Sequence, residues 1–597
     1  MEKKLLMGNE AIALGAIRAG VRFISGYPGT PSSEIIETAA KEKPENVYIE
    51  WSVNEKSALE VAAGAAFSGA RSLVTMKQVG LNVASDPLMS LNYVGIKGGL
   101  VIVVADDPGP ISSQTEQDTR HFGLYAKLAV FDPSTPEEAY EMIADAFDIS
   151  EKIGRPVLFR PTTRVCHSYA SVQLLEPVCC QNPDGFQKDG GRWVIFPRLA
   201  YANHINIEKE QVDLAHTFSD YKGNQLSGSG KKGIAAGGVS WSYLCEAMED
   251  DACKLLKVAT VPFPEDLGLK FLQGLDEVLV VEELDPVIER ALILLCGKHQ
   301  LRVNIRGKLS GDMPNAGENS VAAIAKTVHE YFGKNVPVSE DLPEIPPLPV
   351  RPPVLCAGCP HRASFYAVKE AMKGKKAVFS GDIGCYTLGN AMPLDMVDTC
   401  LCMGAGITIA QGINRIEPDT LNFAFIGDST FFHTGIPGIV NAVFNGSDII
   451  IAILDNSTTA MTGGQTHPGL GHTVDNRPAP RISIYDIVKA IGVQDIQRVN
   501  AFDFAASKDA VIRAAELRGV RVIIFEGLCI NISREKSCCT IVDNNCINCG
   551  LCIKKIGCPA ISVMNKKTVI NPVLCTGCNL CKKVCPAQAI EGGTHLC

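Results

Sequence analysis

Eight cysteines near the C-terminus, in two runs that each end before a proline, constrain this chain more than any other feature. Cys546, Cys549, Cys552 and Cys558-Pro559 are followed by Cys575, Cys578, Cys581 and Cys585-Pro586. Each run sets three thiols at C-x2-C-x2-C with a fourth before proline. This spacing wraps a pair of cubane iron–sulfur clusters, the fourth cysteine of each run reaching across to the other cluster. On that pattern Cys546, Cys549, Cys552 and Cys585 hold one 4Fe-4S cluster, and Cys575, Cys578, Cys581 and Cys558 hold a second. Three residues separate Cys581 from Cys585, but five, Ile553 to Gly557, separate Cys552 from Cys558, so the first loop has to bulge. A zinc ribbon or a disulfide knot fits two CP-terminated runs poorly. The pattern implies a chain that moves electrons one at a time.

At 597 residues, and roughly 150 residues per domain, the chain should form about four domains. Hydrophobic residues make up 46% and charged residues 20%, ample for buried cores. A formal charge of −9, modest and spread out, argues against a nucleic-acid surface. No stretch approaches 18 uninterrupted apolar residues, so no membrane span is expected. Met1 to Leu14 does not read as a signal peptide, because Asn9 and Glu10 interrupt its apolar run. Of the 23 cysteines eight belong to the clusters, and a reducing cytoplasm, in an anaerobe, is the natural home for them.

From Gly15 to about Thr163, strand-like and helix-like stretches alternate. Arg71 to Met76 and Gly99 to Ala105 are short β-rich runs, and Ala58 to Phe67 is Ala-rich, suited to close helix packing. Such alternation implies an α/β fold with parallel, doubly wound sheets. Asn182 to Gly191 and Asp220 to Gly230 read as linkers or surface excursions. A second α/β unit follows, with Lys231 to Gly238 and Glu277 to Glu283 as strands. The proline-rich segment Leu342 to Pro353 is the clearest connector. A third unit has strands at Ala377 to Ser380, Asn422 to Ile426 and Ile449 to Leu454. The expected domains are residues 1–180, 181–345, 346–535 and a small α+β two-cluster module at 536–597.

Gly427-Asp428-Ser429 follows one apolar strand and Asp455-Asn456 follows the next, 28 residues from Asp428 to Asn456. This resembles the thiamine diphosphate signature, GDG followed by about 26 residues and NN. A strand-end aspartate and an asparagine amide oxygen suit magnesium, which prefers hard oxygen ligands. Small residues beside the aspartate let backbone N–H groups approach phosphate at a helix start. By that resemblance Asp428, Asn456 and the carbonyl of Thr458 are magnesium ligands, and Ser429, replacing the usual glycine, can still hydrogen-bond phosphate. Thr462-Gly463-Gly464-Gln465, just downstream, sharpens the match. Thiamine chemistry also needs a carboxylate against the aminopyrimidine ring, and Asn54-Glu55, with Gly64 nine residues on, resembles the activating segment; Glu55 is the candidate. The competing reading is a solvated glutamate favoured by a helix start. Glu50 and Glu60 are weaker alternatives.

Three features converge on one family. Gly26-Tyr27-Pro28-Gly29-Thr30-Pro31-Ser32-Ser33-Glu34 resembles the GYP-x-TP-S segment of thiamine-dependent 2-oxoacid:ferredoxin oxidoreductases. Cys356-Ala357-Gly358-Cys359-Pro360-His361 resembles their C-x-GC-x-H motif, and the thiamine signature follows in the right order. Within that family the chain resembles the large subunits of the indolepyruvate branch. These carry a pyrimidine-binding (PYR-like) domain, a transketolase-C-like domain, a diphosphate-binding domain and a ferredoxin module, in this order. The lengthened first cysteine run is a trait of the same branch.

The resemblance implies oxidative decarboxylation of an arylpyruvate, coenzyme A taking the acyl group and ferredoxin the electrons. It implies a smaller beta subunit, similar to the gamma domain of related enzymes, in an α2β2 assembly. It makes Thr30 a partner for the substrate carboxylate, against the reading of a turn residue between two prolines. It makes His361 a diphosphate contact, against a buried and satisfied histidine. It offers a third 4Fe-4S cluster on Cys356, Cys359, Cys385 and Cys529, against reduced thiols packed in a core; Cys400 and Cys402 are substitutes in that set. Cys179-Cys180, Cys538-Cys539 and Cys597 have no assigned role. Pyruvate, 2-oxoglutarate or phenylglyoxylate as substrate remains open, as does an electron-transfer subunit without thiamine turnover.

Overall fold

The computed structural model describes residues 2–42, 44–178, 183–248, 253–334, 346–349, 351–533 and 537–593. Cys179, Cys180, Cys597 and most of the proline-rich connector lie outside the described residues. The chain divides into two compact units, Met1–Glu344 and Ile345–Cys597. No helix among the described residues is long and apolar enough to cross a membrane.

The first unit holds two sheets. The larger has seven strands in the order Thr260–Val261, Ala129–Phe131, Val157–Phe159, Leu100–Ala105, Ser72–Lys77, Phe23–Gly26 and Tyr48–Trp51. All neighbours are parallel except the short edge strand Thr260–Val261. Leu100–Ala105 is buried at every residue, the continuous apolar run of a parallel strand covered on both faces. Beside it the helix Glu55–Phe67 starts at Asn54, whose Oδ1 accepts from Ser57 N–H at 2.8 Å, a side-chain cap on an otherwise unpaired donor. Ala58, Ala62 and Ala66, one turn apart, are fully buried and let the helix lie close against its neighbours.

The second sheet runs Asn304–Arg306, Glu277–Val281, Lys232–Gly237, Lys254–Val258, Gln225–Gly228. Its last strand falls in Asp220 to Gly230, expected as a linker or surface excursion: Gln225–Gly228 pairs antiparallel with Lys254–Val258. All four of its residues are exposed. An edge strand held by backbone hydrogen bonds alone carries no apolar signal in the sequence. The 23-residue helix Pro197–Ser219 precedes it, in a stretch for which no element was anticipated.

A buried charge network joins these two sheets. Arg160 donates to Asp106 at 2.7 Å and to Asp132 at 3.2 Å, and Arg120 donates to Asp118 at 2.6 Å and to Glu282 at 2.8 Å. Glu283 accepts from Asn319 N–H at 3.0 Å. Four carboxylates thus share two guanidinium groups, and burial pushes the neighbouring Glu283 carboxyl up to about 7.

In the second unit a five-stranded, all-parallel sheet runs Ala377–Ser380, Leu421–Gly427, Ile449–Asp455, Val520–Glu526, Asp495–Asn500. The strands at its centre, Leu421–Gly427 and Ile449–Asp455, are buried almost throughout. The C-terminal module pairs Cys539–Ile541 with Ile590–Gly592 and Ile561–Met564 with Lys567–Ile570, both antiparallel. Its two cysteine runs share a backbone. Asn548 and Gly550 in the first, like Gly577 and Asn579 in the second, have φ between 49° and 73°. Only Gly and Asn adopt this left-handed conformation readily, so both runs place them at the same two positions around the middle cysteine.

One prediction follows from the charge network. Burial raises Glu283 above its ordinary value of 4.5, so its protonated form favours the folded unit. That contribution is complete below pH 4.5 and is lost as pH climbs through about 7. Between about pH 5 and about pH 8 the wild type should lose about 2–3 kcal/mol more stability than Glu283→Gln, measured by urea denaturation. Parallel profiles for the two proteins would contradict it.

Candidate active site

The signature residues of the second unit meet at the carboxyl ends of its two central strands, where ligands bind in open parallel sheets. Strand Leu421–Gly427 runs straight into a helical segment beginning at Asp428. Gly427 is required there: a Cβ would stand 2.0 Å from the Tyr386 hydroxyl. Phe431–Gly435 forms a π-helical turn before the helix Ile436–Phe444, a distortion common at functional sites. Strand Ile449–Asp455 ends beside it, and Ser457, at φ 59°, turns the chain so that Asn456 and the Thr458 carbonyl face Asp428.

Asp428, Asn456 and Thr458 are all buried. One end of the Asn456 amide lies 3.3 Å from both Asp428 carboxylate oxygens and 2.8 Å from the Thr458 carbonyl. The other end lies 3.3 Å from His361 Nε2. With nitrogen at the first end, the amide donates to Asp428 and Thr458. With oxygen there, three oxygens converge with no proton between them, and a cation reconciles them. Magnesium–oxygen bonds of 2.0–2.1 Å put neighbouring ligands about 2.9 Å apart, close to the spacing observed. The donor set fits magnesium.

Two residues that sequence reasoning missed orient this triad. His467 Nδ1 accepts from Gly469 N–H at 3.2 Å, which leaves the proton on Nε2 to donate to Asp428 Oδ2 at 3.2 Å. It lies two residues beyond the Thr462–Gln465 motif, and no spacing rule singles it out. Tyr386, wedged against Gly427, places its hydroxyl 3.2 Å from Thr430 Oγ1. Ser429 Oγ accepts from Thr459 Oγ1 at 2.9 Å, two hydroxyls at the helix start where a diphosphate would lie. His361 is buried against Asn456, and burial lowers its imidazole to about 4, the Asp428 charge opposing that shift. It is therefore neutral at pH 7.

The thiols fall into three sets in the same unit. One cavity is lined by Cys558, Cys575, Cys578 and Cys581, with Cys539 and Cys359 also on its wall. A second is lined by Cys546, Cys549, Cys552 and Cys585. These are the two fours implied by the crossed ligation pattern. Among the described residues no three His, Cys, Asp or Glu side chains form a ready single-ion site. Thiols spaced around a cavity suit a multi-iron core better than one zinc ion. Backbone N–H groups point at the sulfurs, Cys539 N–H to Cys575 Sγ at 3.4 Å and Ala589 N–H to Cys585 Sγ at 3.3 Å. Cys539, without a role in the sequence reading, is thus a fifth thiol of the first cavity's cluster set.

Cys356, Cys359, Cys385 and Cys529 also meet. Burial pushes Cys385 up to about 11, and the thiols of Cys529 and Cys356 add to the rise. Cys359, raised to about 12 chiefly by burial, faces Cys385 in turn. Cys529 N–H donates to the Asn456 carbonyl at 3.0 Å, so this set borders the oxygen triad. Cys400 stands elsewhere, against Thr387, Asp382 and Cys402.

In the first unit, the Thr30 loop and Glu55 follow the adjacent parallel strands Phe23–Gly26 and Tyr48–Trp51. Glu55 is 5% exposed, which removes the reading of a solvated helix-start glutamate. Its carboxyl lies over Gly80, where a Cβ would approach Oε1 to 2.6 Å. The Thr30 carbonyl accepts from Ser112 Oγ at 3.1 Å. Lys77, at the end of the next strand, is half-buried and faces Asp107 and Glu55; the sequence reading gave it no role.

Comparison with known proteins accords with this arrangement. The family described as pyruvate flavodoxin/ferredoxin oxidoreductase, thiamine diP-bdg, matches residues 14–195. The thiamine pyrophosphate enzyme, C-terminal TPP binding domain family matches residues 382–525, and the 4Fe-4S binding domain family matches residues 568–591. Indolepyruvate oxidoreductase subunit IorA of Methanothermobacter thermautotrophicus is 41% identical, over 99% of this chain and 97% of that protein. The subunits of the same description from Thermococcus kodakarensis and Archaeoglobus fulgidus are each 39% identical, again over 99% of this chain and 97% of theirs. With a thiamine-binding signature, a cluster-binding module and such identity over nearly its whole length, the chain belongs to the indolepyruvate oxidoreductase subunit IorA family.

Proposed function

We propose that the chain catalyses the oxidative decarboxylation of arylpyruvates, indolepyruvate foremost, to arylacetyl-coenzyme A. One 2-oxo acid, one coenzyme A thiol and two oxidised ferredoxins give one thioester, one carbon dioxide, two reduced ferredoxins and one proton. The observation that carries the reading is the pairing, in one compact unit, of an oxygen triad fitted to magnesium with thiol sets that begin at its border. The relatives' names support an arylpyruvate as the substrate.

Thiamine diphosphate, when bound, supplies the carbon nucleophile and the electron sink for decarboxylation. The chain's own residues do the rest. Asp428, Asn456 and the Thr458 carbonyl would hold magnesium, and His467 Nε2–H fixes the orientation of the Asp428 carboxylate. Ser429, with the helix-start amides, receives the diphosphate, and neutral His361 orients the Asn456 amide. Glu55 holds the proton at the aminopyrimidine ring, a role suited to a carboxylate kept from water. Thr30 hydrogen-bonds the substrate carboxylate. The four domains, 1–180, 181–345, 346–535 and 536–597, divide these roles. Cys356, Cys359, Cys385 and Cys529, at the triad's border, would hold a third cluster. The cysteines of the C-terminal module, Cys546, Cys549, Cys552 and Cys585 with Cys558, Cys575, Cys578 and Cys581, would hold two clusters, which would supply one-electron transfer toward ferredoxin. A smaller beta subunit completes an α2β2 enzyme.

The test is anaerobic viologen reduction by the chain with its beta subunit, with indolepyruvate, pyruvate or 2-oxoglutarate, and with or without coenzyme A. Coenzyme-A-dependent reduction that favours indolepyruvate is expected. A preference for an aliphatic oxo acid would overturn the substrate, and no reduction despite full iron and thiamine would overturn the reaction. Glu55→Gln should keep iron and thiamine at wild-type content while kcat falls about 10²–10⁴-fold. Wild-type turnover in that variant would remove Glu55 from the role.

A further inference from the structure

Arg362 is the third residue of the helix Pro360–Ala371, only 4% exposed, and its side chain lines the cavity of Cys558, Cys575, Cys578 and Cys581. Its guanidinium spends its hydrogen bonds on neutral carbonyls. Nη1 donates to Ile556 at 2.7 Å and Gly557 at 2.9 Å, Nε donates to Cys356 at 3.5 Å, and Nη2 donates to Leu355. Among the described residues it makes no ion pair with a carboxylate. Burial lowers its pKa, and the charges that oppose this are the thiols of Cys558, Cys359, Cys578 and Cys356.

A guanidinium taken out of water without a counter-charge is strongly disfavoured, and arginine does not relieve this by losing its proton. Among the described residues, the negative charge that faces it comes from the thiolates of Cys558, Cys359, Cys578 and Cys356. The arrangement also gives the long first cysteine run a purpose. Residues 556 and 557 are the last two of the five before Cys558, and both present their carbonyls to Arg362. Gly557, at φ 61°, sits where a Cβ would come within 2.4 Å of Pro393.

Resting on the cluster reading above, we infer that Arg362 is a positioning residue that also tunes a redox centre, its charge favouring the reduced state of the cluster held by Cys558, Cys575, Cys578 and Cys581. Reduction adds one electron to that thiolate-ligated core and moves no atom. The negative charge beside Arg362 grows by one, and the fixed cation stabilises the product more than the reactant. The same guanidinium ties the Cys558 loop to the backbone around Cys356, so charge and distance are set together.

The experiment is an anaerobic redox titration followed by electron paramagnetic resonance, on the iron-loaded chain with its partner subunit. It compares wild type, Arg362→Gln and Arg362→Lys. Glutamine retains a hydrogen-bond donor without the charge, and lysine retains the charge without the fork. One midpoint should fall in the glutamine variant by at least tenfold in reduction equilibrium, about 59 mV for one electron. The other midpoints should hold, and lysine should stay near wild type. Loss of one cluster's iron in the glutamine variant, with iron and midpoint kept in the lysine variant, supports the same role for the charge. A glutamine variant at the wild-type midpoint overturns it, as do equal shifts or equal iron losses in both variants, which would make Arg362 a staple only. Wild-type protein with no cluster signal would instead sink the cluster reading on which the inference stands.

Discussion

Three oxygens brought together at the ends of two parallel strands are the constraint around which the second unit is arranged. One end of the Asn456 amide stands 3.3 Å from the Asp428 carboxylate oxygens and 2.8 Å from the Thr458 carbonyl, a spacing that acceptor atoms do not hold unaided. The sheet imposes it. Leu421–Gly427 and Ile449–Asp455 pair in register to Gly427 and Leu454, so the residues that follow leave the sheet at the same level. Gly427 admits Tyr386 against the turn, and His467 fixes one carboxylate oxygen. A magnesium diphosphate needs such a preset cradle, because the hard cation gives up water only for well-placed oxygens.

From this cradle the thiols lead outward. Cys529 N–H donates to the Asn456 carbonyl, and Cys359 belongs at once to the bordering thiol set and to the wall of the first cavity of the C-terminal module. Arg362 spans the same junction by hydrogen bonds to both sides. The oxygen triad and all three thiol sets thus lie in one compact unit. Glu55 and Thr30 lie in the other, each just after the end of one of its parallel strands.

Much of this was legible because covalent spacing and local propensity carry it. The cysteine runs, the strand-end Asp428 and Asn456, and apolar runs such as Leu100–Ala105 obey rules that a linear pattern records. What was not legible depends on contacts between distant segments. His467 acquires its role only when its loop folds over Asp428. Lys77 meets Glu55 from a different strand, and Cys539 reaches its cavity through the pairing of Cys539–Ile541 with Ile590–Gly592. Gln225–Gly228 is a strand that buries none of its residues, so its sequence resembles a loop. The long first cysteine run was legible, but that its Ile556 and Gly557 carbonyls accept from Arg362, 194 residues from Ile556 in sequence, was not.

The central claim, that thiamine chemistry and electron exit share this chain, is tested most directly by rapid mixing. Thiamine- and iron-loaded protein is mixed anaerobically with indolepyruvate, and cluster reduction is followed by absorbance and by electron paramagnetic resonance. The account expects reduced clusters within a single turnover, and expects Asp428→Ala protein, full of iron but without bound thiamine, to stay oxidised. Clusters that remain oxidised while substrate is consumed, or that are reduced equally in the Asp428→Ala protein, would contradict it.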